Sequence, residues 1–164
     1  MINKRISFSK NLVSSLAACV ALLALAGSAS ADTANCKVVE IKASTGKAEM
    51  DPALTAIAGK LKKPPFSAWQ SFKVVKQHNL TAEQMKQASL ALATGGKLGL
   101  LYKDRNDAKG KKPRLRIAMT LDDASGKRRA DISLKVDSGD YTLVGRDAAK
   151  DGSTHLLAIS CQVK

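Results

Sequence analysis

The sequence predicts an all-β, mainly antiparallel domain, a β-sandwich of about eight strands with one short N-terminal helix. Three observations carry this. Apolar and polar residues alternate over several short runs: Leu115, Ile117, Met119 and Leu121 interleave with Arg114, Arg116, Ala118 and Thr120. Glycine-containing turn signals separate the runs, at Thr94-Gly95-Gly96-Lys97, Ser125-Gly126 and Ser138-Gly139. One side of each run is apolar and the other polar or charged, the pattern of antiparallel sheets with one wet face. About eight such strands in a small domain pack as two sheets, with a barrel as the alternative closure.

The elements follow in chain order. Lys4, Arg5 and Lys10 precede an apolar run over 12–25, and Ala29-Ser30-Ala31 supplies a small-x-small cleavage site before Asp32. Residues 1–31 therefore read as a cleaved signal peptide, which directs the protein to the periplasm or the exterior. Its removal takes 31 of 164 residues and leaves 133, enough for one domain over 35–163 and not for two. Leu16-Ala17-Ala18-Cys19 offers a lipoprotein alternative, anchored at Cys19, but the apolar stretch continues from Val20 to Ala26, where a lipidated cysteine is normally followed by a polar tether. No second apolar run of membrane length follows the leader.

Residues 37–43 read as a first strand. Asp51-Pro52 gives an N-cap with proline at the first helical position, and Leu54, Ile57, Ala58 and Leu61 recur at helical spacing. The helix ends near Lys62 because Pro64 and Pro65 cannot continue it, and it is expected to lie across one open end of the sandwich. Phe66, Trp69 and Phe72 form a turn feeding a strand over 72–77, and fill the seam between helix and sandwich in preference to forming an exposed platform. Ala88, Leu90 and Leu92 lead through the Gly95-Gly96 hairpin to Leu98, Leu100 and Tyr102. The runs 115–121, 130–136, 141–143 and 157–163 complete the set.

Cys36 and Cys161 nearly bracket the domain, and an even pair in an exported chain suggests a disulfide over small buried thiols. Cys161 shares parity with inward Leu157 and Ile159, whereas Cys36 is out of phase with Val39 and Ile41. A bridge thus requires Cys36 to sit just before its strand.

The phrases Asp51-Pro52-Ala53-Leu54, Pro64-Pro65-Phe66-Ser67-Ala68-Trp69-Gln70-Ser71-Phe72, Gly95-Gly96-Lys97-Leu98 and Leu156-Leu157-Ala158-Ile159-Ser160 give the chain a further character. It resembles a loosely defined group of small exported bacterial β-sandwich proteins with no assigned activity. The resemblance implies the fold and carries no functional residues over.

Charge is the main functional signal. Without Lys4, Arg5 and Lys10, 24 basic residues face 14 acidic ones, a formal charge of +10. Residues 103–116 concentrate it in Lys103, Arg105, Lys109, Lys111, Lys112, Arg114 and Arg116, offset by Asp104 and Asp107. Lys60, Lys62 and Lys63 form a second group, and Lys127, Arg128 and Arg129 a third. Such surfaces attract polyanions: anionic lipid head groups, lipopolysaccharide, acidic polysaccharide or extracellular DNA. In a meander the loops near Lys109 and Lys127 point to opposite ends, so the charge is distributed. Sequence-specific nucleic-acid reading is disfavoured because only six aromatics exist, one of them in the leader.

No Gly-x-Ser-x-Gly, phosphate-loop or His-Glu-x-x-His motif is present. Asp122-Asp123 reads as a turn rather than a paired acid and base. His78 and His155 lack ligand-spaced neighbours, and Asp104-x-Asn106 begins like a calcium loop but continues with Ala108. The expectation is a non-catalytic envelope or extracellular protein without cofactor, docking on anionic surfaces through 103–116 with Lys60, Lys62 and Lys63 assisting. The alternatives are a structural subunit of an envelope or secretion assembly and a hydrolase with an unfamiliar site.

Overall fold

The computed structural model describes residues 32–148 and 152–163; the segment expected to be a leader, its expected cleavage site and Cys19 lie outside the described residues. Nine strands follow in order: β1 (Thr33–Ser44), β2 (Glu49–Met50), β3 (Ser71–Glu83), β4 (Gln87–Ala91), β5 (Lys97–Asn106), β6 (Arg114–Asp122), β7 (Arg128–Asp137), β8 (Tyr141–Ala148) and β9 (Thr154–Val163). They form a five-stranded sheet ordered β2-β3-β1-β9-β8 and a four-stranded sheet ordered β4-β5-β6-β7. All pairings are antiparallel except the short β2–β3 contact. The β-sandwich expectation holds; the strand beyond the expected eight is the two-residue β2.

The main core lies between the sheets, where Val38, Leu157 and Ile159 meet Leu98, Leu100, Tyr102, Leu115, Ile117 and Met119. These are the inward positions of the period-two runs. A second core lies outside the five-stranded sheet. Pro52–Ile57 forms a 3-10 segment that continues as one α-turn, α1 (Ala58–Leu61). Asp51 caps it, accepting from Ala53 N at 2.9 Å and from Val74 N at 3.2 Å. Leu54, Ile57 and Leu61 pack on Val39, Ile41, Ala43, Phe72, Leu156 and Ala158. The helical segment therefore covers a sheet face, not an open end. The reason is in β1 and β9, which are buried on both sides over 38–41 and 156–159, so half of the outer face, with Val39, Ile41, Leu156 and Ala158, also needs a cover.

This second core also corrects the reading of Cys36. Val39 and Ile41 point outward under the helical cap, while Ala34, Cys36 and Val38 point inward. Cys36 thus lies within β1, directly opposite Cys161 of β9, and the two form a disulfide with Cα atoms 4.0 Å apart. The parity conflict arose from taking Val39 and Ile41 as inward.

β3 runs to Glu83, past the expected end at Gln77. A bulge at Val75 shifts the register against β1, so that Glu40 faces Lys76 and Ile41 faces Val74. Beyond Phe72 the outer edge of β3 has no strand partner among the described residues. The bulge and the exposed Lys73 and Lys76 discourage pairing there.

Candidate functional site

The β5–β6 connection and the β7–β8 turn meet at one end of the sandwich. Ser138 N donates to Pro113 O at 2.7 Å, Lys112 Nζ lies 2.8 Å from Asp140, and Arg114 Nε lies 2.8 Å from Asp137. Arg116 pairs with Asp104, and Arg105 sits between Asp32 at 3.4 Å and Asp107 at 3.1 Å. The Arg114 guanidinium holds the Asp137 carboxyl below its usual range, against a small opposing effect of burial. Four of the seven cations predicted in 103–116 are therefore already ion-paired. Lys103, Lys109 and Lys111 have no carboxylate partner among the described residues. Clefts of about 460 and 440 Å³ flank this end, the first lined by Lys111, Lys112 and Arg114 and the second by Arg105, Arg116 and Lys135.

The second basic group lies elsewhere. Lys60 donates to Tyr141 O, and Lys62 borders a cleft with Trp69 on the outer side of the five-stranded sheet. Lys63 is exposed beside it. The sequence reading has Lys60, Lys62 and Lys63 assisting 103–116; the two groups approach each other at Lys60, whose partner Tyr141 follows directly on the Asp140 that pairs with Lys112. In the third group, Arg128 pairs with Asp122 and Arg129 with Asp123 at 2.8 Å. Asp123 is brought down to about 2, chiefly by the Ser125 hydroxyl and the Lys127 N–H, and organises the 123–127 turn. Every described arginine is engaged, Arg146 by Thr94 and by Gly95 O at 2.8 Å. The uncompensated charge is carried by lysines, compact and strongly hydrated point charges without the bidentate geometry of a guanidinium.

A buried polar cluster escaped the sequence reading. Glu40 is fully buried on the inner side of β1. It accepts from His78 Nε2 at 2.6 Å, Ala93 N at 2.8 Å, Thr94 N at 3.0 Å and Thr94 Oγ1 at 2.7 Å. Burial pushes its pKa up, but the bonds from Ala93, His78 and Thr94 outweigh it and leave it below the ordinary 4.5. Four donors fill the four acceptor positions of a carboxylate, so no lone pair remains to take a substrate proton. The cluster ties the β4–β5 hairpin to the opposite sheet. A glutamate flanked by Val38, Val39 and Ile41 was the available signal.

The other candidates resolve individually. His155 lies on β9, beside Arg146, Asp122 and Thr94 in a cleft of about 260 Å³, and His78 lies on β3. Asp104 is held by Arg116 and Asp123 by its turn. Phe72 is buried in the second core, with Phe66 and Trp69 packed partly buried against it, as the seam reading expects. Tyr102 is wholly enclosed; its hydroxyl donates to Asp32 at 2.8 Å and is pushed up to about 12 by burial and by that carboxylate.

No helix among the described residues is long and apolar enough to cross a membrane. Comparison with known protein families, with curated proteins and with solved structures found no match for this chain.

Proposed function

We propose that this is an exported, non-catalytic binding protein of the bacterial envelope or exterior that docks on anionic surfaces through the β5–β6 end. The observation that carries the reading is the division of charge: arginines are consumed by internal pairs, while Lys109 and Lys111 in the β5–β6 loop and half-buried Lys103 in β5 stay uncompensated. Gly110, with φ of 74°, lets that loop close tightly and hold Lys109 and Lys111 at its tip. Exposed lysines of this kind attract polyanions over distance and release counterions on contact, which gives binding of low specificity and steep salt dependence.

The test is retention on heparin and on anionic versus neutral vesicles at rising ionic strength. The expected result is binding to the anionic forms at low salt and release as screening sets in, with a Debye length of about 8 Å at 0.15 M. Absence of binding even at low ionic strength would overturn the proposal.

A further inference from the structure

The outer face of the five-stranded sheet is divided into two halves. Under the helical cap its side chains are Val39 and Ile41 from β1, Phe72 and Val74 from β3, and Leu156 and Ala158 from β9. Beyond the cap all three strands turn polar, β3 at Gln77 opposite Val39 and β1 and β9 one row later. β1 continues outward with Lys37 and Asn35, β3 with Asn79 and Thr81, and β9 with Ser160 and Gln162. The pairing register aligns these into two rows across the sheet. One row is Asn79, Lys37, Ser160 and Tyr141; the other is Thr81, Asn35 and Gln162, closed by Gly139 in the β7–β8 turn. Together they line a groove of about 460 Å³.

This is not the composition of the protein's other wet face. The outer side of the four-stranded sheet mixes charges of both signs, with Arg114, Arg116, Asp131, Lys135 and Asp137. The groove holds amides and hydroxyls, one cation in Lys37, and no carboxylate. Each amide presents both donors and acceptors, the complement of adjacent sugar hydroxyls. Thr81 Oγ1 donates to Asn35 Oδ1 at 3.1 Å, which orients the Asn35 amide. Tyr141 is partly buried against the second core, and gives the end of the first row an apolar ring body for the C–H face of a sugar. The turn that closes the groove also touches the basic loop, since Asp140 pairs with Lys112 and Ser138 with Pro113. A chain lying in the groove continues toward Lys109 and Lys111.

We infer that this groove binds an acidic oligosaccharide, an inference that rests on the docking reading and supplies its ligand class. The hydroxyls meet the two amide rows, and the carboxylates or sulfates meet Lys37 and the adjoining lysine loop.

The experiment is calorimetric titration of the protein with oligogalacturonate and with a neutral glucan of the same length, alongside retention on phosphatidylglycerol vesicles. Asn79→Ala/Gln162→Ala removes two exposed amides and leaves the core untouched. It is expected to weaken oligogalacturonate at least tenfold while vesicle retention stays unchanged, and the neutral glucan binds at least tenfold more weakly than the acidic one to the unaltered protein. If the double variant binds oligogalacturonate as well as the unaltered protein, while Lys109→Gln/Lys111→Gln abolishes binding, the groove assignment is wrong and surface docking stands. Equal loss of vesicle retention in the groove variant would also overturn it, in favour of a lipid head group. If the unaltered protein binds neither oligogalacturonate nor vesicles at low salt, both readings fail. Circular dichroism confirms that each variant is folded.

Discussion

Glu40 joins the two sheets through a single side chain, from β1 to the β4–β5 hairpin. Its carboxylate accepts from the backbone N–H groups of Ala93 and Thr94. Glu40→Gln places an amide N–H₂ against at least one of those donors. It is expected to cost about 2–3 kcal/mol in urea unfolding at pH 7, in the range for buried hydrogen bonds to a charged group. Because the folded-state pKa of Glu40 is depressed, its contribution is fully present above the ordinary value of 4.5 and is lost as pH falls through the lower folded value. The gap between the two proteins should therefore narrow below that pH; a gap that stays constant down to pH 3 would contradict the assignment. The glycines of the same hairpin offer a second contrast. Gly96 has φ of 88° and an added Cβ would lie 2.1 Å from Asp122 O, whereas at Gly95, φ 85°, the nearest atom is Ala124 Cβ at 3.5 Å. Gly95→Ala is expected to cost about 1 kcal/mol for conformation alone, and Gly96→Ala at least twice that, read as midpoints in the same unfolding assay.

Among the elements, β1 and β9 unite the fold, since they pair along most of their length and are buried on both faces at their centre. The Cys36–Cys161 bridge joins these first and last long strands across a separation of 125 residues. The chain-entropy account assigns such a loop roughly 4–5 kcal/mol. Reduction, or Cys36→Ala/Cys161→Ala, is expected to lower unfolding stability by about 3–5 kcal/mol; a loss under 1 kcal/mol would show that strand pairing alone holds the termini. The period-two runs and turn glycines made β4 to β7 legible, because each has a single apolar face and alternation states which one. The same rule misled in β1, where Val39 and Ile41 serve a second core that no local pattern announces. The position of the helix was lost for the same reason: its apolar stripe was visible, but the face it covers depends on strands far away in sequence. The end of β3 was hidden by its polar alternation over 77–81, which reads as loop until Leu80 and Ala82 are seen to point inward.

For the whole molecule, a formal charge of +13 in the full chain says less than its pairing. Arg114 and Asp137 stand 23 residues apart, and Lys112 and Asp140 stand 28 apart, yet cross-strand register and the adjoining turns join them. Composition located the basic segment, but only the fold separates spent charges from available ones. Those surface pairs are exposed and contribute little stability individually; their effect is to leave Lys103, Lys109 and Lys111 as the local excess. The most direct test of that claim is the salt dependence of heparin affinity for the unaltered protein and for Lys103→Gln/Lys109→Gln/Lys111→Gln. Log affinity should fall linearly with log salt for the unaltered protein, and the slope should be shallower by about two in the triple variant, as expected when contacts to a polyanion are removed. Equal slopes for the two proteins would contradict the account, by showing that the docking charge lies elsewhere.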